Sequence, residues 1–289
     1  MRIPYYPGCT LSTKAKGFDR AARDSFAALG IELTELKMWN CCGATFPLSQ
    51  DNLLDLAGPV RNLVSAAEEG GQLAVACSTC FNVLKRSNLV MRNDEDKREK
   101  INFFIEAEYA GGVEILHLLE ILRDQVGWDN LSKAVKNPLT DLKVAPYYGC
   151  MYLRPPKEMG FDDHENPQIL ENYIRAMGAE VADYPHRAEC CGNYIATFDV
   201  ETTQEMAYMI LASTRRADAD LIITSCPLCQ FNLDRWQTDI ALKHGGFRPI
   251  PVLYDTQLLG IALGLDASGF DLDKLYIDPR PLLTQKGLL

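Results

Sequence analysis

The spacing of apolar residues changes several times between a helical and a strand-like period along the first half of the chain. Residues 13–30 carry apolar side chains at helical spacing, and residues 52–71 predict a second helix. Residues 31–38 and 72–77 predict strands, and a further short strand is predicted to end at Cys9. The predicted order is therefore strand, helix, strand, helix, strand.

The same order returns in the second half. Residues 166–179 and 201–219 predict helices, and residues 180–185 and 220–226 predict the strands that follow them. Strands that alternate with helices favour an α/β fold with a mainly parallel sheet in each half. We therefore predict two similar, Rossmann-like α/β halves that arose by internal duplication and are related by a pseudo-two-fold axis.

Composition narrows the class of protein. The chain has 289 residues, 47% of them hydrophobic, which is enough for one large core or two ordinary ones. A formal net charge of −10 argues against binding to nucleic acid or to an anionic membrane. No window approaches the roughly 20 apolar residues of a membrane span, and the N-terminal sequence MRIPYYPGC has no apolar signal core. We expect a cytoplasmic protein, whose ten cysteines indicate metal or redox chemistry rather than disulfides.

The ten cysteines form two sets of the same pattern, a single Cys, then Cys-Cys-Gly, then Cys-x-x-Cys. The pair and the Cys-x-x-Cys motif are separated by 34 residues in both sets, and the first Cys and the pair by 31 and 39 residues. Such self-similarity is the mark of a repeat. The two sets are Cys9, Cys41, Cys42, Cys77 and Cys80, and Cys150, Cys190, Cys191, Cys226 and Cys229.

The flanking sequences support the duplication. YYPGC before the first set matches YYGC before the second, and His117 aligns with Tyr254 in the last predicted strand of each copy. The eight extra residues of the second copy are predicted in a surface loop at 154–167, which is rich in Pro, Gly and Asp. Pro138 breaks the helical pattern near the seam, so we predict a first cysteine-rich domain at 1–138 and a second at 139–289.

Every cysteine motif follows a predicted strand, so each set is expected at the carboxyl edge of its sheet, where open α/β sheets build their sites. Structural zinc takes four ligands, whereas each set offers five. A thioredoxin-like dithiol would use one Cys-x-x-Cys and leave three cysteines of its set without a role. Five cysteines, two of them adjacent, favour a more open iron–sulfur assembly than a cubane, which takes four thiolates. The spacing alone leaves these alternatives open.

The tandem pattern resembles the B subunit of heterodisulfide reductase. The resemblance implies that each set binds one noncubane [4Fe-4S] cluster, in which the adjacent cysteines supply partly bridging thiolates. It also implies an oxidoreductase that reduces a disulfide, such as the heterodisulfide of coenzyme M and coenzyme B, to two thiols. This chemistry belongs to anaerobic methanogenesis in the family, and two one-electron centres would suit one S–S bond.

Electrons must come from elsewhere, because the sequence has neither a G-x-G-x-x-G flavin fingerprint nor a ferredoxin-type cysteine run. The resemblance implies an iron–sulfur partner with cubane clusters, like the C subunit of that enzyme, and a flavin-containing, bifurcating partner, like its A subunit. His117 is a candidate proton donor, although a lone histidine at a helix start is more often structural. The alternative hypothesis is an electron-transfer subunit of a quinone- or flavin-linked oxidoreductase without disulfide chemistry of its own.

Overall fold

The fold consists of two parallel sheets with the same strand order, each flanked by helices. It is described from a computed structural model for residues 1–44 and 53–289. Within these residues the sheets run β2-β1-β3-β4 and β6-β5-β7-β8. Their strands are β1 (Arg2–Tyr6), β2 (Glu32–Glu35), β3 (Gln72–Val75), β4 (Glu114–His117), β5 (Lys143–Pro146), β6 (Glu180–Val181), β7 (Leu221–Thr224) and β8 (Val252–Tyr254). The predicted α/β class with two similar halves is confirmed.

The helices of the two halves follow in matching order. The first half contains α1 (Gly8–Thr13), α2 (Lys16–Ala28), α3 (Ala57–Glu68), α4 (Ser78–Asn93), α5 (Glu95–Ile105), α6 (Leu118–Ile121) and α7 (Trp128–Ala134). The second contains α8 (Pro156–Met159), α9 (Ile169–Ala176), α10 (Val200–Arg216), α11 (Pro227–Arg235), α12 (Gln237–Lys243), α13 (Asp255–Ala262) and, near the C-terminus, α14 (Arg280–Gln285). Short 3₁₀ or π turns occupy Leu53–Leu56, Leu122–Val126, Pro185–Ala188, Asn193–Ile195, Ala267–Gly269 and Leu272–Lys274.

The central strands β3, β5 and β7 are short and mostly buried, whereas the edge strand β2 carries exposed glutamates at both ends. All four residues of β7 are buried, and β1 pairs in parallel with β2 and β3. The predicted helix at 52–71 begins as a 3₁₀ turn and is helical from Ala57; its first residue, Asn52, lies outside the described residues. The strand predicted at 180–185 is shorter than expected: it pairs with β5 only at Glu180 and Val181, and a 3₁₀ turn begins at Pro185.

Helices of one half pack against helices of the other half across their junction. Helix α2 of the first half packs on α13 of the second, where the rings of Phe18 and Tyr254 stack with centroids 4.3 Å apart. The hydroxyl of Thr256 donates a hydrogen bond to the carbonyl oxygen of Phe18 over 3.2 Å. On the opposite side, α9 of the second half packs on α6 and α7 of the first. A large apolar cluster consequently contains residues of both halves, and a smaller one lies within the second half.

The segment around the predicted domain boundary lies against the second half. The amide of Lys136 donates to the carbonyl oxygen of Ala262, and the amide of Leu139 donates to that of Met177. The boundary after residue 138 stays a prediction. In the part of the chain that the structure describes, we found no helix with the length and apolar character that a membrane crossing demands.

Candidate metal centres

The carboxyl edges of the two sheets position all ten cysteines. In the first half, Cys9 lies in the short helix after β1, the adjacent pair follows β2, and Cys77 caps the start of α4 directly after β3. In the second half, Cys150 follows β5, the pair follows β6, and Cys226 caps the start of α11 after β7. The predicted location at the carboxyl ends of strands is therefore confirmed.

The first set forms a patch that runs from the surface into the protein. The sulfur of Cys41 lies 3.7 Å from that of Cys9, and both residues are exposed. The sulfur of Cys42 lies 3.4 Å from that of Cys80, and both residues are buried together with Cys77. One cysteine of the adjacent pair therefore faces the outer thiol and the other faces the inner Cys-x-x-Cys.

The second set repeats this arrangement. The sulfur of Cys191 lies 3.5 Å from that of Cys229, and Cys191, Cys226 and Cys229 are buried. Cys150 and Cys190 are half-buried and form the outer thiol pair. The amide of the glycine after each pair lies 3.4 Å from the first cysteine of that pair, at Gly43 and Gly192. Both glycines adopt a φ near +80°, a backbone conformation that favours glycine. This explains why a glycine follows the cysteine pair in both motifs.

In each set, one thiol accepts hydrogen bonds from two neighbouring thiols. Hydrogen bonds from Cys41 and Cys80 lower the pKa of Cys42 to about 3, and burial adds to the raised pKa of Cys80. In the second set, hydrogen bonds from Cys150 and Cys191 lower the pKa of Cys190 to about 2. Each set therefore holds a stabilised thiolate, the form in which cysteine binds metal.

A tyrosine anchors the pair loop in each half, and sequence reasoning gave it no function. The hydroxyl of Tyr6 donates to the carbonyl oxygen of Asn40 over 2.8 Å, directly before the first pair. Tyr147 makes the same bond to Glu189 over 2.7 Å, directly before the second pair. The signal was present in the sequence, since YYPGC and YYGC carry these tyrosines at the same distance before the cysteine, but the bonded carbonyls lie 34 and 42 residues downstream.

The glycine before the first cysteine of each set allows the backbone to approach the inner thiol. Gly8 adopts φ +73°, and a Cβ there would lie 3.2 Å from the sulfur of Cys80. Gly149 adopts φ +63°, and a Cβ there would lie 3.1 Å from the sulfur of Cys229. Side chains at these positions would strain the backbone and displace a candidate ligand.

Gly8→Ala is therefore expected to lower the free energy of unfolding by about 1–2 kcal/mol and to alter the spectrum of the metal-loaded first centre. Gly30→Ala is a matched control, since Gly30 has φ +78° with nothing within 4 Å of its would-be Cβ. Denaturant unfolding should show similar losses for both variants, whereas EPR should change only for Gly8→Ala. Identical EPR spectra for the two variants would contradict the close approach to Cys80.

The two Cys-x-x-Cys loops meet at the junction between the halves. The hydroxyl of Thr79 lies 3.4 Å from the sulfur of Cys226. The amide of Ser78 donates to the carbonyl oxygen of Ser225 over 3.3 Å. The contact between the halves therefore lies beside the inner cysteines of both sets, and Cys9 and Cys41 face outward.

His117 lies in a buried aromatic cluster behind Cys77. Its Nδ1 accepts a hydrogen bond from the amide of Leu119, so its Nε2 carries the proton and lies 2.7 Å from the carbonyl oxygen of Ala76. The hydroxyl of Tyr152 lies 3.0 Å from the same nitrogen. Burial lowers the pKa of His117 to about 3, so the ring is neutral near pH 7. These contacts cap α6, and the proton-donor role stays a prediction.

The donor set fits an iron–sulfur group. Each patch offers five thiols, of which three are buried, and thiolates are the ligands that iron–sulfur clusters use. Among residues 1–44 and 53–289, no group of three or more Cys, His, Asp or Glu side chains is placed to hold a single metal ion. In each set the sulfurs instead lie as a more exposed outer pair and a buried inner pair.

A model of the cysteine-rich domain family, abbreviated CCG, matches residues 3–85 and again residues 144–234. The chain belongs to this family. The resemblance to the B subunit of heterodisulfide reductase is confirmed, because the B subunit of the ferredoxin/F420H2-dependent CoB-CoM heterodisulfide reductase of Methanosarcina acetivorans is 31% identical over 97% of this chain and 94% of its own length. Its family and its similarity to this subunit make the chain an iron–sulfur oxidoreductase subunit.

Other proteins similar to this chain carry other names or share its fold. A relative from Wolinella succinogenes, named 8-methylmenaquinol:fumarate reductase membrane anchor subunit, is 35% identical over 96% of this chain and 98% of its own length. The crystal structure of a hypothetical protein from Helicobacter pylori has the same fold, with a TM-score of 0.74 at 12% identity. It aligns with 95% of this chain, which spans only 51% of that protein.

Proposed function

We propose that this chain is the two-cluster subunit of a cytoplasmic oxidoreductase complex, and that each set of five cysteines holds one noncubane [4Fe-4S] cluster. The observation that carries the proposal is the repeated geometry of the sulfurs, with an inner pair 3.4 Å apart in one half and 3.5 Å apart in the other. A bound cluster would supply one-electron transfer. The protein buries the inner thiols, fixes the pair loop through a tyrosine and leaves the outer thiols accessible.

Iron content tests the cofactor directly. Anaerobically prepared protein is expected to contain close to eight iron atoms per chain, as two four-iron clusters require, with a matching amount of acid-labile sulfide. The measurement is metal analysis combined with EPR of the reduced protein. About two zinc ions per chain with little iron would overturn both the cluster assignment and the proposed redox function.

The first candidate reaction is reduction of a disulfide, as the resemblance to heterodisulfide reductase implies. A disulfide takes up two electrons and two protons to give two thiols, so each of two one-electron centres can serve one sulfur. The junction of the two Cys-x-x-Cys loops supports this reaction, because the contact between Thr79 and Cys226 brings the inner parts of both sets together. Partners with cubane clusters and a flavin would supply the electrons.

The second candidate is an electron-transfer role in a quinone-linked oxidoreductase. The observation that favours it is the 35% identity, over nearly the whole chain, to a protein whose name includes 8-methylmenaquinol:fumarate reductase. A relay of this kind would have no activity on disulfides. Anaerobic assays of the intact complex with disulfides and, separately, with a quinol distinguish the two candidates.

A further inference from the structure

The junction between the halves contains one open groove, and the repeat defines a second, matching position where the chain itself fills the space. Each position is bounded by the segment that follows the first cysteine of one half and by the Cys-x-x-Cys helix of the other half. The open groove lies between the segment after Cys9 and α11. The matching position lies between the segment after Cys150 and α4. A symmetric protein would treat both positions alike.

The groove beside α4 is closed by hydrogen bonds from inside the chain. The side-chain amide of Asn82 donates to the carbonyl oxygen of Met151 over 2.8 Å and to that of Arg154 over 2.7 Å. Arg86, one turn further along α4, forms an ion pair with Glu158 of the inserted segment 154–167. The helix and the segment after Cys150 are therefore tied directly together.

Apolar side chains from the inserted segment fill the remaining space. Met159 and Phe161 are only 0% and 2% exposed. The ring of Phe161 lies 5.9 Å from the rings of both Phe81 and His117. The inserted segment thus fills the position that matches the open groove of the other half.

The groove beside α11 is open and forms a cavity of about 520 Å³. This volume is within the ordinary range of small-molecule sites. Phe231 and Tyr276 are 47% and 57% exposed there, and their rings meet edge to face with centroids 6.1 Å apart. The stacked rings of Phe18 and Tyr254 form another part of the wall.

The open groove lies beside cysteines of both sets. Thr10, which lines it, directly follows Cys9 of the first set. Pro227 and Leu228, which also line it, are the two residues between Cys226 and Cys229. A ligand in this cavity would therefore be next to both proposed clusters.

The charges around the cavity do not favour an anionic ligand. The charged lining residues that the structure describes are Lys14, Lys274, Asp234 and Asp271, whose formal charges cancel. The Nζ of Lys274 lies 2.7 Å from Oδ1 of Asp271, so this ammonium group already has an anionic partner. Recognition of a carboxylate, phosphate or sulfonate normally uses arginine or several converging cations. The heterodisulfide of coenzyme M and coenzyme B carries several such groups.

We propose that the open groove binds a neutral, flat, largely apolar redox ring of the quinone class. The inference rests on the proposed function, since the ring would exchange electrons with the two clusters. Reduction of the quinone takes one electron from each cluster and two protons from water and yields the hydroquinone; oxidation of a hydroquinone is the reverse. Aromatic walls suit such a ring, and the plugged twin groove leaves one ring per pair of clusters.

The test is equilibrium dialysis of 2,3-dimethyl-1,4-naphthoquinone against cluster-loaded protein without oxygen. Phe231→Ala is expected to weaken binding about fivefold to tenfold, because it removes an aromatic wall. Phe103→Ala is the matched control, since Phe103 is 88% exposed on α5 and does not line the cavity. Its affinity should stay within about twofold of the parent protein.

Lys14→Glu separates a neutral ligand from an anionic one. It should change the affinity for the naphthoquinone by less than about twofold, whereas a polyanion bound in the same groove would lose about tenfold or more. The proposal is overturned if the naphthoquinone fails to bind, or if Phe231→Ala leaves its affinity unchanged. Tight binding of the coenzyme M–coenzyme B heterodisulfide that Lys14→Glu abolishes would also overturn it. If any of these three results is obtained with protein that contains eight irons, the proposed function still stands. Protein without iron would remove that function itself.

Discussion

Cys41→Ser is expected to remove the cluster of the first half and to leave that of the second half in place. Serine is a poor ligand for this iron, and Cys41 supplies half of the outer thiol pair, 3.7 Å from Cys9. Iron should fall from about eight to about four atoms per chain, and EPR should retain one of the two cluster signals. Cys190→Ser should give the complementary result, with the other signal retained.

These two cysteines suit the experiment because each belongs to the outer pair of its set, whereas Cys226 contacts Thr79 across the junction of the halves. Met38→Ser provides the control, since Met38 is 76% exposed and lies three residues before Cys41. The Met38→Ser protein should keep all its iron. Loss of both signals in either cysteine variant would show that the two sites do not assemble independently.

Loss of either cluster is also expected to abolish turnover of a disulfide by the complete complex. A disulfide needs two electrons, so a single one-electron centre would leave a thiyl radical or a stalled half-reaction. Reduction of the coenzyme M–coenzyme B heterodisulfide, and of simpler disulfides, should be assayed with a low-potential donor in Cys41→Ser and Cys190→Ser. The rate of disulfide reduction should fall to background in both variants. Electron uptake should survive at least in the variant that keeps the cluster nearer the electron-donating partner.

Substantial disulfide reduction by either single-cluster variant would refute the paired mechanism. If the intact complex reduced no disulfide at all, the quinone-linked candidate would be favoured instead. The same variants then remain informative, because quinol oxidation should also depend on both clusters if the ring lies between them.

Much of this architecture could be predicted from local patterns. Alternating helices and strands predicted parallel sheets, and parallel strands bring their carboxyl ends to one edge. That rule was sufficient to group Cys9 with Cys77 across 67 intervening residues. Comparison of the two copies, together with the Pro, Gly and Asp content, predicted the eight additional residues of the second copy at 154–167, where helix α8 lies.

The contacts between the halves could not be predicted in the same way. They depend on which helix faces meet, and the repeat does not say that Thr79 of one Cys-x-x-Cys loop contacts Cys226 of the other, 147 residues away. The inserted segment was expected to be a surface loop because of its Pro, Gly and Asp content. Its Met159 and Phe161 are nevertheless buried, since two apolar side chains suffice to anchor an otherwise polar loop.

The packing of helices across the junction has a consequence for how such a chain can evolve. A single copy of the repeat would expose the faces that α2 and α13 now cover, and it could bury them in a symmetric homodimer. In that ancestor every mutation would appear in both grooves at once. Fusion of the copies into one chain freed each groove to change alone, so one could acquire a plug while its twin stayed open.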